Sequence, residues 1–458
     1  MSKRTRILYI CHNHPEVRPG GAETYALEVH RAFRASDEFE PIFLAKGGPP
    51  LSRAGRPHLG TCASLVGRES DEYFFYTDDY QYDWTFGTIR HDKDLYTKHF
   101  EKFLLAVEPD IVHLQHTLFF GYDILRAIRN ALPHVPIVYT LHEFIPICHR
   151  QGQMVRTIDE RPCLEESPRR CNECFPDISP QTFFMRKRFI QSHLSLVDLF
   201  LAPSKFLRER YIDWGIPTSR ILFEEYGRTL PPGDAPTDRC SEHRNHFGFF
   251  GQLTPFKGVH VLLEAMRELS STEACDDSIQ QAPDASSLGA QSQSGSTEPH
   301  CWIHGANLEL QPSDFQAQFK DLLGATARTV TFVGRYTPGE LASFMSDVDW
   351  VIVPSLWWEN SPLVIQEAFH FGRPVLCSDI GGMAEKVTHG VNGLHFRAGD
   401  PASLARTMRA AMESPSLWRH LRSGIRPPYA MDEHLARLST VYRDLLAAPR
   451  GEGVSRGR

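Results

Sequence analysis

Short apolar runs alternate with helical patterns along most of the chain. In the first half, the runs typical of buried strands are Ile7–Ile10, Ile42–Ala45, Ile111–Leu114, Ile137–Leu141 and Leu199–Ala202. The helical patterns between and after them are Ala22–Arg34, Tyr122–Ala131, Gln181–Leu196 and Lys205–Trp214. This alternation predicts a parallel sheet covered by helices, because parallel strands need helical crossovers to connect them.

A second set of the same kind begins after the turn-rich segment Pro231–Pro236, which is expected to be a linker. Its predicted strands are His246–Phe250, Cys301–His304, Val330–Val333, Trp350–Val353 and Val375–Ser378. The fold class is therefore α/β, with two doubly wound parallel-sheet domains over residues 1–230 and 240–426. A last predicted helix, Met431–Leu446, lies in the segment 427–447.

Two segments lack the apolar residues that a packed core needs. Ser270–Pro299 is rich in Ser, Gln, Ala, Asp and Gly and interrupts the second domain, and residues 448–458 end the chain. Such compositions cannot bury enough surface to offset the entropy of ordering. Both segments are expected to be disordered.

The bulk properties narrow the function classes. A chain of 458 residues suggests two domains, and 49 basic against 56 acidic residues give a net charge of −7, without the basic signature of a nucleic-acid binder. No apolar run is long enough for a transmembrane helix, and Ile7–Ile10 is too short for a signal peptide. We expect a cytoplasmic protein whose ten cysteines are not presumed to form disulfides.

The most informative segment is residues 354–368, which leads from a buried-type strand into a helix expected to begin near Ser361 and Pro362. Glu359 and Glu367 bracket that helix start. Backbone N–H groups there can bind phosphate oxygens, and carboxylates accept hydrogen bonds from hydroxyl groups. If one helix carried both glutamates, their Cα atoms would be about 12 Å apart, beyond the roughly 5–10 Å of a glycosidase pair. The alternative is a surface helix with two solvated glutamates.

This segment resembles the donor-site motif of glycosyltransferase family 4, also called glycosyl transferases group 1, which are retaining enzymes with the GT-B fold. The likeness continues, in the order expected of the family, at residues 20–23, 251–258, 372–375, 378–385 and 390–394. The resemblance implies two Rossmann-like domains facing a central cleft. It also implies an acceptor-side first domain, a second domain that binds the nucleotide-sugar donor, and a last helix that crosses back to the first domain.

The resemblance also implies roles for single residues in the second domain. Lys257, at the start of a predicted helix over residues 258–269, would hold the diphosphate. The alternative, a solvated lysine in a first turn, is disfavoured because the helix dipole prefers anions at that end. Glu359 would face the donor sugar and Glu367 the nucleotide ribose. Gln252 departs from the family, which commonly has Arg there, and Arg335 is a possible substitute for the missing charge.

Further donor contacts are implied for the glycine pair, the end of a strand and the turn before the helix, namely Gly20, Gly21, Gly334, Tyr336, Asn360, Ser361, Pro362 and Leu363. The glycines allow close approach of a phosphate or sugar because they lack a Cβ, although a lone Gly-Gly is usually only a turn. Asn360 and Ser361 are equally candidates for helix N-caps, and Tyr336 is as readily a plain loop aromatic.

In the first domain, His142 resembles the family histidine that lies near the donor sugar or the acceptor, where it could hydrogen-bond a sugar hydroxyl. With Glu359 and Lys257 it completes the predicted catalytic set. His113 and His116 are more readily explained as structural or cleft-lining residues.

The chain contains one cysteine-rich insertion, at residues 148–175. It carries Cys148, Cys163, Cys171 and Cys174, of which the last two form Cys-x-x-Cys. Four thiols suit a tetrahedral structural zinc site or an iron–sulfur centre, and some relatives carry a similar insertion. Four free thiols in a loop are the alternative.

Two further segments are candidates for contact with an acceptor. Tyr73–Phe86 holds eight aromatic residues interleaved with acidic ones, which suits an acceptor platform but is better explained by ordinary packing of a loop. Phe183–Arg188 is a basic and apolar patch that suits either an anionic membrane surface with a lipid-linked acceptor or a solvated helix face.

These observations predict an enzyme that moves a sugar from a nucleotide-diphosphate-sugar donor to a hydroxyl of a glycan or lipid-linked acceptor, with retention of configuration. Cell-surface polysaccharide or glycoconjugate biosynthesis, with peripheral contact at the inner membrane face, is the expected setting. No cofactor beyond the donor substrate is required, and no nucleic-acid partner is expected. Two alternatives are an epimerase or phosphorylase on the same scaffold and a non-catalytic binder of sugar nucleotides or glycans.

Overall fold

The computed structural model describes residues 3–18, 20–47, 63–77, 82–89, 93–230, 243–276 and 298–448. They divide into a first unit, which runs to Thr229 and resumes at Tyr429, and a second unit, Leu230–Pro428. The predicted linker Pro231–Pro236, residues 277–297 of the predicted insertion and the tail from residue 449 lie outside the described residues.

The first unit contains ten strands and seven helices among the described residues. The strands are β1 (Thr5–Cys11), β2 (Phe39–Gly47), β3 (Ala63–Gly67), β4 (Glu72–Thr77), β5 (Tyr82–Asp83), β6 (Thr88–Ile89), β7 (Ile111–Leu114), β8 (Ile137–Thr140), β9 (Leu199–Ala202) and β10 (Ile221–Phe223). The helices are α1 (Gly21–Phe33), α2 (Lys93–Val107), α3 (Asp123–Ala131), α4 (Pro168–Cys174), α5 (Pro180–Leu194), α6 (Lys205–Trp214) and the last helix of the chain, α14 (Met431–Ala447).

Eight of these strands form one sheet in the order β10-β9-β8-β7-β1-β2-β4-β3. Every neighbouring pair is parallel except β3 and β4. Strands that follow β1 are added on one side as far as β4, and β7 then starts the other side. The border between β1 and β7 is therefore a topological switch point, where the loops after the strands diverge and leave space for a ligand.

The second unit contains six strands and seven helices among the described residues. The strands are β11 (His246–Gln252), β12 (His300–Ala306), β13 (Val330–Gly334), β14 (Trp350–Val353), β15 (Val375–Ser378) and β16 (Gly393–Phe396). The helices are α7 (Val259–Asp276), α8 (Ser313–Ala325), α9 (Leu341–Asp347), α10 (Leu363–His370), α11 (Gly381–Lys386), α12 (Pro401–Glu413) and α13 (Pro415–Ser423).

The six strands form a fully parallel sheet in the order β13-β12-β11-β14-β15-β16. Its switch point lies between β11 and β14. Successive side chains of β14 enter different hydrophobic clusters, Trp350 and Ile352 on one face and Val351 and Val353 on the other. Burial on both faces is why these strands are continuous apolar runs in the sequence.

All ten predicted strands and the predicted helices occur, with ends that shift by a few residues. Two expectations are corrected. Helix α7 continues to Asp276, so residues 270–276 of the predicted disordered insertion are helical. The predicted aromatic loop Tyr73–Phe86 begins as strand β4, which pairs with β2 and buries Phe75 completely. No helix among the described residues is long and apolar enough to cross a membrane.

Helix α14 is fastened to the first unit by buried polar contacts. The Tyr442 hydroxyl lies 2.7 Å from His113 Nδ1 and 3.1 Å from the Tyr9 hydroxyl. His434 Nδ1 lies 2.7 Å from Glu224 Oε1, and its Nε2 lies 2.7 Å from the Tyr25 hydroxyl. Buried polar groups cost free energy when they lose their partners, so these contacts fix the position of the helix.

We predict that Tyr442→Phe destabilises the protein by about 1–3 kcal/mol, because it leaves a buried ring nitrogen of His113 without its partner. Tyr73→Phe is the matched control, since that hydroxyl bonds to the Ser70 carbonyl at the surface and its loss should change stability by at most about 0.5 kcal/mol. Urea denaturation followed by fluorescence measures both. Equal stability of Tyr442→Phe and the unchanged protein would show that the buried hydroxyl does not hold α14.

Candidate active site

The loops after β11 and β14 meet at the switch point of the second sheet. Lys257 ends a short 3-10 turn, Pro255–Lys257, and Gly258 follows with φ 70° before α7 begins at Val259. A Cβ on Gly258 would lie 1.9 Å from the Pro354 carbonyl oxygen. Only glycine therefore satisfies both the left-handed backbone and the close approach of the β14 loop.

Glu359 is the centre of a convergent set of donors. Its Oε1 atom accepts hydrogen bonds from Lys257 Nζ at 2.5 Å, from the Ser355 hydroxyl at 2.8 Å and from Trp357 Nε1 at 2.9 Å. The Glu359 side chain is 8% exposed and that of Lys257 is 29% exposed. The ammonium group also lies 5.8 Å from the centre of the Trp357 ring. Three donors on one oxygen fix the orientation of the carboxylate.

The turn after Glu359 differs from one expectation. Helix α10 begins at Leu363, and its N-cap residue is Pro362, whose side chain makes no capping hydrogen bond. Neither Asn360 nor Ser361 is therefore the N-cap residue, and both are buried in the turn. The proline cannot donate a backbone hydrogen bond at this position, which suits a helix start.

Helix α11 packs against this turn through its first two residues, which are both glycines. The Gly382 N–H donates to the Glu359 carbonyl at 2.7 Å. A Cβ on Gly382 would lie 1.6 Å from the Asn360 carbonyl oxygen, and Gly381 has φ 59°. These two glycines therefore allow the closest contact between the two segments and hold the Glu359 backbone in place.

The remaining predicted donor-side residues lie on α10 or near strand ends of the same sheet. Of the two glutamates, Glu367 lies on α10, whereas Glu359 precedes the helix. Gln252 is the exposed last residue of β11, and Gly334 ends β13 with φ 93°. Arg335 is exposed, and its guanidinium lies 3.5 Å from Asn307 Oδ1. Tyr336 packs edge-on against Phe250 and His304.

The predicted glycine pair of the first unit opens α1. Gly20 is the extended N-cap residue and Gly21 the first helical residue. A Cβ on Gly20 would lie 2.4 Å from Glu23 Oε2, so the space that the glycine leaves is used by that carboxylate. Glu23 Oε1 in turn lies 3.0 Å from His12 Nε2.

His142 lies two residues after β8, and both of its ring nitrogens have partners within the first unit. Nδ1 is 2.5 Å from the Tyr226 hydroxyl, and Nε2 is 3.1 Å from Gln115 Oε1. Burial lowers the pKa of His142 well below its ordinary value, with smaller contributions from neighbouring histidines. The ring is therefore neutral at neutral pH.

The other two histidines differ in their surroundings. His113 is fully buried between Tyr442 and Thr140, and burial lowers its pKa to about 3, so its role is structural. His116 Nδ1 accepts from the Leu118 N–H at 2.9 Å, which leaves the proton on Nε2, 3.1 Å from Glu143 Oε1. His116 thus contacts other polar side chains at the carboxyl ends of β7 and β8.

The cysteine insertion carries four free thiols, at Cys148, Cys163, Cys171 and Cys174. Across the parts of the chain that the structure describes, no group of three or more His, Cys, Asp or Glu side chains is placed to hold a metal ion. The zinc or iron–sulfur site therefore stays a prediction from the cysteine spacing.

The structure brings three side chains into these sites that the sequence did not indicate. Ser355 and Trp357 hold Glu359, and Gln115 contacts His142. Their position in the sequence could have indicated them, since all three follow the ends of strands beside a switch point. The sequence does not indicate which oxygen or nitrogen atom they contact.

Two family models match the chain. Residues 19–222 match glycosyltransferase family 4, and residues 244–414 match glycosyl transferases group 1. Together they include most of both units.

Curated relatives match parts of the chain. A D-inositol 3-phosphate glycosyltransferase of Nocardioides sp. is 30% identical over 43% of this chain and 40% of its own length. A glycogen synthase of Mycobacterium tuberculosis is 31% identical over 27% of this chain and 30% of its own length. The chain therefore matches less than two thirds of the length of these relatives.

Solved structures match almost the whole chain. Sucrose-phosphate synthase from Thermosynechococcus elongatus has a TM-score of 0.67 and 16% identity, with 97% of this chain and 100% of that chain covered. Anabaena Alr3699/HepE in complex with UDP has a TM-score of 0.62 and 16% identity, with 96% and 100% covered. At such identities the likeness shows the fold. By its two Rossmann-like parallel-sheet units and by both family models, the chain belongs to the glycosyltransferases of family 4 and group 1, and its fold is GT-B.

Proposed function

We propose that this protein transfers a sugar from a nucleotide-diphosphate-sugar donor to a hydroxyl group of a glycan or lipid-linked acceptor, with retention of configuration. One observation carries the proposal: an ammonium group and a fixed carboxylate meet at the switch point of the second sheet, between Lys257 and Glu359. A switch point is where open parallel sheets bind their ligands. The structural match to UDP-bound Alr3699/HepE makes UDP the first nucleotide to test.

Lys257 supplies the positive charge for the leaving group. In the transfer, the bond between the anomeric carbon and the diphosphate oxygen breaks, and the electron pair leaves with the nucleotide diphosphate. The acceptor oxygen forms the new bond on the same face of the sugar, and its proton passes to the departing phosphate oxygen. A cation near that oxygen stabilises the charge that develops there.

Glu359 prepares the site before the donor arrives. Its contact with Lys257 balances the two charges in the ligand-free protein, and the diphosphate competes for the ammonium group when it binds. Ser355 and Trp357 keep the carboxylate in place during that exchange. Glu359 is then oriented to accept hydrogen bonds from the donor sugar, while Glu367 accepts hydrogen bonds from the hydroxyl groups of the nucleotide ribose. Gln252 adds only a neutral donor, so Lys257 carries most of the positive charge.

We predict that UDP, at a hundredfold excess over its dissociation constant, stabilises the unchanged protein by about 2.7 kcal/mol, seen as a rise in melting temperature. Lys257→Ala should weaken nucleotide binding about ten- to hundredfold, because it removes a hydrogen bond to a charged group. Lys320→Ala is the matched control, since Lys320 is exposed on α8 of the same unit. ADP and GDP are tested beside UDP.

Release of the nucleotide from a panel of sugar nucleotides separates the alternatives. Acceptor-dependent release with a new glycoside supports transfer, whereas binding without release supports a non-catalytic binder. An altered sugar without a new glycoside supports an epimerase, and phosphate-dependent release supports a phosphorylase. If none of the three nucleotides changes the melting temperature, the donor-site proposal is wrong.

The positioning of Glu359 generates a second prediction. Ser355→Ala and Trp357→Phe each remove one of its three donors, and each should lower kcat about tenfold or more with less than a threefold change in nucleotide affinity. Trp302→Phe, in strand β12, is the control for loss of an indole in the same unit. Unchanged kcat in both variants would show that these donors do not position the carboxylate.

We also propose that the first unit contacts an anionic membrane surface, where a lipid-linked acceptor would be found. In the patch Phe183–Arg188, Phe183 and Arg186 are buried, so the exposed part is reduced to Phe184 (49%), Met185 (55%) and Arg188. The Arg188 guanidinium lies 5.5 Å from the Phe184 ring. Two apolar side chains beside a cation suit insertion at an anionic interface.

We predict that the protein sediments with vesicles containing anionic phosphatidylglycerol and that the double change Phe184→Ser with Met185→Ser reduces the bound fraction severalfold. Leu310→Ser is the control, because Leu310 is an equally exposed apolar residue of the second unit. Failure of the unchanged protein to bind these vesicles, or equal binding of the double variant, contradicts the membrane contact and leaves the transfer proposal untouched.

A further inference from the structure

The first unit carries a second polar cluster, at its own switch point. Its members follow three neighbouring strands or open the helix after one of them. His12 follows β1, and Glu23 lies in the first turn of α1. Gln115 and His116 come directly after β7, and His142 and Glu143 come two and three residues after β8. This switch-point cluster is His12, Glu23, Gln115, His116, His142 and Glu143.

Two contacts connect the loops after β7 and β8. His142 Nε2 lies 3.1 Å from Gln115 Oε1, and His116 Nε2 lies 3.1 Å from Glu143 Oε1. The His12 ring lies 4.5 Å from the His116 ring, which joins the loop after β1 to the same cluster. The backbone is fixed as well, since the Gln115 N–H donates to the Ile10 carbonyl at 2.8 Å.

The contacts within the cluster determine which of its side chains carry a charge. Burial alone would lower the pKa of His12, but the charge and hydrogen bond of Glu23 outweigh it and raise the pKa to about 10. His12 is therefore an imidazolium paired with the Glu23 carboxylate. His116 is neutral, because its Nδ1 accepts a backbone N–H and burial lowers its pKa. Glu143 adds a second carboxylate, and the Arg186 guanidinium is engaged by the carbonyl oxygens of Ile145, Pro146 and Ile147.

Gln115 is the one member of the cluster with an orphaned polar atom. Its side chain is fully buried, and its Nε2 has no hydrogen-bond partner among the described residues. Turning the amide over would pair Nε2 with His142 and orphan Oε1 instead, so one amide atom lacks a partner in either orientation. An unsatisfied buried polar group is costly, and such groups indicate a place where a ligand or water binds.

We propose that the Gln115 amide hydrogen-bonds a hydroxyl group of the acceptor and that the group recognised here is a neutral sugar or polyol. This inference rests on the proposed transfer function and names the acceptor class of the first unit. A hydroxyl both donates and accepts, so it matches an amide beside two carboxylates. An anionic group would instead face Glu23 and Glu143 with one imidazolium to balance them.

The proposal changes the role of His142. Both of its ring nitrogens are occupied by Tyr226 and Gln115, so the contact with a sugar hydroxyl expected of His142 falls to Gln115. His142 acts through Gln115 and is a positioning residue. Its own partner Tyr226 stacks on the imidazole with ring centres 5.5 Å apart, which fixes the ring plane.

Two variants of the whole chain test the amide. Gln115→Met removes both polar atoms, and Gln115→Glu keeps an oxygen to accept from His142 but lacks the N–H donor. Gln191→Met is the matched control, because the Gln191 amide donates to the Trp214 carbonyl at 2.8 Å in the same unit, away from the cluster. Acceptor probes are the octyl glycosides of glucose, galactose, mannose and N-acetylglucosamine, each beside its 6-phosphate, with UDP release as the readout.

The expected result is UDP release stimulated by at least one neutral glycoside and about tenfold less by its 6-phosphate. Both Gln115 variants should raise the KM for that acceptor about ten- to hundredfold with unchanged affinity for UDP, and Gln115→Met should have a melting temperature like that of Gln191→Met. Stimulation only by phosphorylated acceptors, stimulation by none of the panel, or an unchanged acceptor KM would overturn the inference. Loss of UDP binding in the unchanged protein would instead reject the donor site.

Discussion

The contact between Lys257 and Glu359 is the interaction on which the functional account depends. It exists because strands β11 and β14 are neighbours in space although α7, β12, α8, β13 and α9 separate them in sequence. Only the reversal of strand order at this border brings the two loops together. The glycines at 258 and 382 then permit the backbone approaches that no other residue would tolerate at these distances.

Both sheets have a switch point lined by loops that follow parallel strands, but the charged side chains at the two switch points differ. In the second unit an ammonium group stands beside a single fixed carboxylate, which suits an anionic ligand that displaces one of the partners. In the first unit two carboxylates surround one imidazolium and an amide, which suits hydroxyl groups. Each site is built from loops after parallel strands, so the fold provides the position and the loop residues provide the selectivity.

The sequence predicted ten of the fourteen strands in the two sheets, because residues such as Val351–Val353 are buried on both faces and must be continuously apolar. It predicted Lys257 and Glu359 through the family resemblance. It did not predict their direct contact, nor the donors Ser355 and Trp357, because hydrogen bonds across a turn depend on side-chain directions that no periodicity records. The cysteine spacing likewise suggested a metal centre, which stays a prediction because ligation depends on side-chain directions that spacing does not record. Strand β4 was missed because its aromatic residues lack a clear alternation with polar ones.

The most direct test is a crystal structure of the whole chain grown with UDP. We predict a diphosphate at the carboxyl end of β11 and β14, within hydrogen-bond distance of Lys257 Nζ, and a Glu359 carboxylate still held by Ser355 and Trp357. UDP bound at any other place, or a diphosphate that leaves the contact between Lys257 and Glu359 unchanged, would contradict it.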